Sequence, residues 1–422
     1  MQRSFFGLAL VLGLISAVGP FAIDMYLPAL PSIGQALGAS AGAVQASLIV
    51  FFVALGFGQL VYGPVSDMTG RKAPLYFGLL LFAAGSIGCA LAPTIEWLIA
   101  LRFVQGLGAC AGMVVPRAVV RDLHTGTEAA RLMSLLMLVF SVSPILAPLT
   151  GSVLIDNFGW RAVFWAVTGA AAFSLALLFT SLPETRPPAE RVGSSVGSAL
   201  NAYGVLLRDP HFLGLSLIGG FGVASFFAYL ANSSFVLINH YGLTPRQYSI
   251  AFAANAASFI GVSQLTSRLG QRFGLASMVR WAVTAYAAIM VLALALQLAG
   301  QQGLALLLAL LFVGYGFLGL VIPATMVLSM EEHGTIAGTA SALGGTLHFV
   351  AGILVMGLLS PFANGDPLPM LWGIAGSAVL ALVLTWVTLR AVPSPPPPPQ
   401  KKAKAFFRGP RTPSPRGRGS EA

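Results

Sequence analysis

Charge is scarce in this chain: of its 422 residues only 9% are Asp, Glu, Lys or Arg, against 56% that are hydrophobic, and the mean hydropathy is +0.84. A soluble protein could not hide that much apolar surface. Cysteine is almost missing as well. Cys89 and Cys110 are the only two, and both fall in apolar runs, where a lone thiol acts as a small hydrophobic side chain. A disulfide framework and a thiolate metal site are therefore not expected. Nor is there a phosphate-cradling Gly-Lys-Ser/Thr loop, a metal-spaced His/Cys cluster or a Ser-His-Asp context. These absences argue against ATP hydrolysis and against catalysis generally, and no cofactor is expected.

What the chain has is a series of long apolar runs, such as Leu79 to Ala92 and Leu304 to Leu328. A bilayer core of about 30 Å takes roughly 20 apolar residues to cross as a helix. Twelve segments meet that need, starting near Phe5, Ala43, Pro74, Thr94, Leu132, Ala162, His211, Gln247, Ser277, Gly303, Ala337 and Met370. The expected fold class is an all-α membrane protein. The first segment reads as a retained helix rather than a signal peptide, because Gly19-Pro20 and Asp24 interrupt it and eleven further spans follow.

The formal charge of +10 and a pI of about 10.1 would suggest nucleic-acid binding in a soluble chain. Its distribution argues otherwise. Arg71, Lys72, Arg117, Arg121, Arg131, Arg186, Arg191, Arg208, Arg268, Arg272 and Arg280 all fall on alternate connections, and only Arg161 and Arg246 do not. By the positive-inside rule those connections are cytoplasmic, as are both termini. Membrane lipid is then the expected surrounding and nucleic acid is not a partner.

A polar stretch from Ser181 to Pro210 separates six spans from six. The expected division is an N-terminal six-helix bundle over 1–181, a central cytoplasmic loop over 182–210, a C-terminal six-helix bundle over 211–391, and a disordered, Pro-rich basic tail over 392–422. Between the second and third spans lies the charged decapeptide Gly63-Pro-Val-Ser-Asp-Met-Thr-Gly-Arg-Lys72. An eroded echo, Gly261-Val-Ser-Gln-Leu-Thr-Ser-Arg-Leu-Gly-Gln-Arg-Phe-Gly274, occupies the equivalent junction of the second half. Such internal similarity fits a parallel repeat with the substrate site between the halves, near the bilayer midplane.

Further motifs stand in order along the chain: Asp24-Met-Tyr-Leu-Pro-Ala-Leu-Pro31, Arg102-Phe-Val-Gln-Gly-Leu-Gly108, Arg117-Ala-Val-Val-Arg-Asp-Leu123, Ser143-Pro-Ile-Leu-Ala-Pro-Leu-Thr-Gly151, Asn157-Phe-Gly-Trp-Arg-Ala-Val-Phe-Trp165, Glu184-Thr185 and Ala337-Gly-Thr-Ala-Ser-Ala342. With the decapeptide, this set resembles the major facilitator superfamily and, within it, the bicyclomycin-resistance (Bcr/CflA) group of drug:proton antiporters. The resemblance spans roughly residues 5 to 390. It implies two pseudo-symmetric six-helix bundles, a monomer in the inner membrane, and efflux of bicyclomycin- or chloramphenicol-type drugs in exchange for protons, with antibiotic resistance as the outcome. One departure is visible: Ala147 stands where those proteins place glycine before the proline, and Ser152 replaces a second glycine.

Physical reasons attach to individual residues. Arg102 lies eight residues past Thr94, roughly 12 Å into the membrane, where a guanidinium is tolerated only beside a polar cavity or partners. Gln105 shares its helix face, and the resemblance implies that they couple proton movement to transport. Asp24 is the only acid well inside a span; it is a candidate for reversible protonation or for contact with a cationic drug, or else a cap where Tyr26, Pro28 and Pro31 end the helix. Tyr26 is grouped with the proton and substrate candidates. At the cytoplasmic surface Gly63, Asp67, Gly70, Arg71 and Lys72, with Arg121 and Asp122, form the expected conformational gate. The resemblance implies that this network holds the outward-facing state, with Asp67 bridging to the positive N-terminal end of the eleventh helix near Ala337, and that it breaks on inward opening. Arg117 and Arg121 join that network or act as simple charge anchors. Pro144, Pro148 and Gly151 suit a helix bend and a close helix contact. In the second half Asn232, Asn255 and His348, with Phe226, Phe227 and Tyr229, either line the cavity or pack between helices.

Three functions are compatible with these residues: a proton-coupled multidrug exporter, a transporter of one metabolite such as a sugar or amino acid derivative, and a non-transporting membrane enzyme or receptor. The motif set favours the first, with the proton gradient as energy source and small-molecule drugs and protons as partners.

Overall fold

In the computed structural model, which describes residues 5–389 except 125, 189–190, 192–195, 332 and 334–336, the apolar runs fold as helices. The first half comprises α1 (Phe5–Asp24), a 3-10 turn (Leu27–Ala29), the short α2 (Leu30–Leu37), α3 (Ala41–Thr69), α4 (Lys72–Ala90), α5 (Ile95–Leu123), α6 (Gly126–Phe158) and α7 (Arg161–Ser181). A short helix, α8 (Val196–Leu206), leads into α9 (Pro210–Ser234), which continues as a π-helical turn over Phe235–His240. Then come α10 (Pro245–Ser263), α11 (Thr266–Phe273), α12 (Leu275–Leu298), α13 (Leu304–Glu331), α14 (Ala337–Leu359) and α15 (Pro367–Thr388). Among the described residues, eleven helices are long and apolar enough to cross a membrane. The twelfth crossing is α10, 19 residues long and more polar because it carries Gln247, Asn255 and three serines. The tail over 392–422 lies outside the described residues.

The two halves pack alike. In the first, α1 meets α5, α6 and α7, α3 and α4 both meet α5, and α4 meets α7. In the second, α9 meets α13, α14 and α15, α10 and α12 both meet α13, and α12 meets α15, which is the same set of pairs in the same order. Between halves, α3 packs on α14 and α6 on α10, again related by the repeat. Small residues allow the close approaches: a Cβ on Gly108 would lie 2.6 Å from the Gly78 carbonyl oxygen, and one on Gly106 would lie 2.6 Å from that of Phe51.

Two local expectations change. The decapeptide is mostly helix, since α3 runs through Pro64 to Thr69 and only Gly70 and Arg71 form the turn. Proline removes just one helical donor, and the turn itself falls on Gly70, whose φ of 93° suits glycine. The segment over 182–210 is not a plain loop, because α8 packs Leu206 against Phe212, Ala340 and Leu343. As expected, Pro144 and Pro148 lie within a helix: α6 runs 33 residues across them, so those prolines free backbone carbonyls without ending it.

Candidate functional site

At mid-membrane in the first half, Arg102 of α5 is completely buried. Its guanidinium lies between two ring faces, 4.3 Å from the Tyr26 centroid and 4.1 Å from that of Phe51. A desolvated cation–π contact of this kind is worth about 2 kcal/mol. Nη1 donates to Gln105 Oε1 at 2.6 Å and to the Ala22 carbonyl at 3.3 Å. Gln105 Nε2 in turn donates to Ser86 Oγ at 2.8 Å, and Tyr26 OH shares a 2.6 Å bond with Ser47. Arg102 Nε and Nη2 have no hydrogen-bond partner among the described residues. Such a charge has unused donor capacity in a dry place, which is costly unless another state supplies an acceptor.

Asp24 closes α1 two residues beyond Ala22, the carbonyl that Arg102 touches. It is buried, 6% exposed, and Ser143 Oγ of α6 donates to its Oδ2 at 2.8 Å. No ion pair joins Asp24 to Arg102. Tyr26, Arg102 and Gln105 are thus brought together, on the corner after α1 and on α5, while Asp24, at the end of α1, bonds to α6 and makes no hydrogen bond or ion pair with the guanidinium. Ser143 opens the Ser143–Gly151 motif, which by itself does not mark it as a partner of Asp24, and Ser86, which bonds Gln105, carries no sequence signal beyond membership of an apolar helix. Gly151 belongs to the same construction: a Cβ there would come within 2.5 Å of the Met25 carbonyl oxygen, so only glycine lets α6 approach the Asp24 corner.

At the basic end of the first half a second network forms. Arg71 grips Asp122 with two parallel bonds, Nε to Oδ2 at 2.7 Å and Nη2 to Oδ1 at 3.0 Å, and donates from Nη1 to Asp67 at 2.8 Å. Arg186 adds an ion pair to Asp67 at 3.4 Å. Thr185 donates to Asp122, and Glu184 accepts from the backbone N–H groups of Arg71, Lys72 and Arg186. Arg71 is only 2% exposed, so these are not ordinary surface pairs; removing one side of a buried pair costs about 3–5 kcal/mol, against 0–1 for an exposed one. Burial alone would lower the Arg71 pKa, and the carboxylates of Asp122 and Asp67 outweigh it, so that it is raised. For Glu184 burial works to raise the pKa, and the three N–H donors outweigh it and hold the carboxyl below its ordinary value. Gly70 is forced by both shape and contact: besides its positive φ, a Cβ would lie 2.5 Å from Arg191 Nη2 and 2.6 Å from Glu184 Oε2.

No bond or ion pair among the described residues carries Asp67 to α14, a bridge expected of the outward-facing state alone; Arg71 and Arg186 of the linker pair with it instead. Otherwise the membership of the gate differs from the expected one. Lys72 takes part through its backbone, while its ammonium sits 5.8 Å from the Tyr76 ring centroid. Gly63 lies inside α3 and joins through its carbonyl, which accepts from Ser66 Oγ at 2.9 Å while Ser66 Oγ accepts from Arg71 Nη1 at 2.8 Å; Arg121 is exposed on α5. Glu184 and Thr185, by contrast, are central to the network.

The halves are tied at the opposite end and at mid-membrane. Gln45 Nε2 donates to Asn232 Oδ1 at 2.9 Å and to the Ala231 carbonyl at 3.1 Å, Ser249 Oγ donates to the Pro148 carbonyl at 2.8 Å, and Ser360 Oγ donates to the Gly42 carbonyl at 3.2 Å. Deeper in, Phe52 faces Phe227 at 4.3 Å between centroids, with Phe349 6.0 Å away. Every side-chain hydrogen bond between halves among the described residues is in this group. Asn232 is therefore a seal between halves, paired with a glutamine that the sequence did not single out. Asn255 donates to Tyr229 OH at 2.9 Å inside the second half. His348 is lodged against α9, where a Cβ on Gly219 would lie 2.7 Å from its Nε2. Around them Ser225 bonds Tyr286, Ser233 bonds Tyr248, and Phe226 and Tyr229 pack on Tyr315.

Comparison with known proteins agrees with this architecture. The chain is 40% identical over 355 residues to an uncharacterized MFS-type transporter, YdgK, of Bacillus subtilis, covering 83% of this chain and 88% of that one. It is 29% identical over 393 residues to the bicyclomycin resistance protein homolog of Haemophilus influenzae, covering 90% and 96%. Among solved structures, a D-xylose-proton symporter superposes with a TM-score of 0.71 at 16% identity over 91% of this chain and 98% of that one, which speaks to fold alone. Residues 12–356 match the family model itself, and the protein is a transporter of the Major Facilitator Superfamily.

Proposed function

We propose that this transporter exports drugs from the cell across the inner membrane in exchange for protons, working as a monomer without a cofactor, with its basic face and both termini cytoplasmic. The observation that carries this reading is the Asp24–Arg102 arrangement: a buried acid held by one hydroxyl, and a buried guanidinium that bonds the carbonyl two residues before that acid and keeps two nitrogens without a hydrogen-bond partner among the described residues. A lone carboxylate in a dry interior is relieved either by a proton or by a cation. Loss of the proton favours a pairing with Arg102; gain of a proton releases it. That exchange would move the end of α1 relative to α5, and Tyr26, stacked on Arg102 and bonded to Ser47 of α3, would carry the movement to a helix that touches the second half. The bicyclomycin resistance protein homolog and a chloramphenicol resistance protein of Pseudomonas aeruginosa, each 29% identical to this chain, support a bicyclomycin- or chloramphenicol-type substrate. Aromatic and hydroxyl side chains of the second half suit such amphipathic molecules. Side-chain ties between the halves, among the described residues, lie away from the basic face, which supports a state that loads from the cytoplasm.

The test is export by inverted vesicles over a range of pH. Asp24→Asn should abolish the dependence on the proton gradient while leaving drug binding within about tenfold, since the amide keeps shape and hydrogen bonding. Export by Asp24→Asn that still follows the gradient, or export by the unaltered protein that survives a protonophore, would refute the proposal.

A further inference from the structure

Two hollows line the membrane-facing side of α1 and share Leu14, Ala17 and Phe21. One, of about 410 Å³, is walled by Phe6, Leu10 and Leu138; the other, about 340 Å³, continues beside α7. From Phe6 to Ala17 the groove follows α1 for about 17 Å at 1.5 Å per residue, close to one leaflet of a core about 30 Å thick. Its mouth is at the basic end, and there Arg131 of α6 holds its guanidinium carbon 5.2 Å from the Phe5 centroid and 5.9 Å from that of Phe6. Arg131 is exposed and makes no ion pair among the described residues. The acid one turn before it, Glu128, is taken by His124 at 3.0 Å.

We propose that this groove holds one anionic phospholipid, with an acyl chain along α1 and its phosphate on Arg131. Charge complementarity selects that occupant. A solitary cation at the headgroup level attracts an anionic lipid, its stack on Phe5 and Phe6 fixes where it sits, and the apolar hollow directly beneath has the length of a chain. Neither feature is used by the transport chemistry, so the two readings stand or fall separately.

Native mass spectrometry of the full chain, delipidated and then titrated with phosphatidylglycerol or with phosphatidylcholine of the same chains, tests it. The unaltered protein should retain phosphatidylglycerol preferentially, Arg131→Gln should lower that retention about fivefold while sparing phosphatidylcholine, and Arg131→Lys should keep the preference. Ala17→Phe, which plugs the groove, should lower retention of both lipids. Equal retention of the two lipids by the unaltered protein, unchanged retention by Arg131→Gln or Ala17→Phe, or a second copy of the chain found on this face in place of lipid would overturn it.

Discussion

The two halves use the same helix pairs but different chemistry. In the first half Asp24, Arg71 and Arg102 are buried; in the second, among the described residues, no Asp, Glu, Lys or Arg is. Where the first half sets a guanidinium between Tyr26 and Phe51, the second sets hydroxyls and rings: Ser225 with Tyr286, Asn255 with Tyr229, Ser233 with Tyr248. Where the first half closes its α3–α4 turn with Arg71 and Asp122, the equivalent α11 has no buried residue, and Arg272 merely covers its neighbour Phe273. The second half thus shows that this packing is reached without buried charge. The charges of the first half are extra to what the architecture needs, and a buried charge carries a desolvation cost that packing does not explain.

The sharpest way to break this comparison is Arg102→Ala. Proton-driven drug export in vesicles should fall about a hundredfold, the scale on which removing a group from proton transfer acts. In the second half Tyr286→Phe should leave coupling intact and cost only about 1 kcal/mol of stability, the usual worth of a buried hydrogen bond. Equal damage to transport from both would remove the functional asymmetry. Next come the paired glycines. Gly70 and Gly274 both have positive φ, 93° and 79°, but a Cβ meets Glu184 and Arg191 at the first and nothing at the second. Thermal unfolding in detergent should therefore show a loss of about 3 kcal/mol for Gly70→Ala and about 1 for Gly274→Ala. The smallest effect concerns Glu184→Gln. Because the folded pKa of Glu184 is depressed from an ordinary value of 4.5, its contribution is present above that value and is lost as pH falls through the lowered folded pKa. The variant should be less stable by about 1 kcal/mol at pH 7, and its melting temperature should converge with that of the unaltered protein in acid.

Much of this was legible in advance. Span lengths, the repeat and the grouping of Tyr26, Arg102 and Gln105 follow from local signals: apolar runs, and rare polar residues at helical spacing. What stayed hidden was pairing between distant neutral residues. Ser143 is 119 residues from Asp24, and Gln45 is 187 from Asn232; a serine or glutamine in an apolar helix is unremarkable until the fold brings its partner near. Charge pattern likewise indicates that Asp67 needs a cation, but not that Arg186 of the linker joins Arg71 in supplying it. The boundary of α3 was misplaced because glycine and proline read as a loop, although the helix tolerates both.

The position of Glu184 and Thr185 has a consequence for how the chain is made. The contacts that complete the Arg71 cluster lie three and four residues beyond the last turn of α7, which ends at Ser181. A nascent chain that has released six helices has therefore not yet finished its first domain. Only when residues 184–186 emerge can Asp122 and the α3–α4 turn reach their final bonding, so the domain closes on a signal from the linker and the second half starts assembling on a partner already locked.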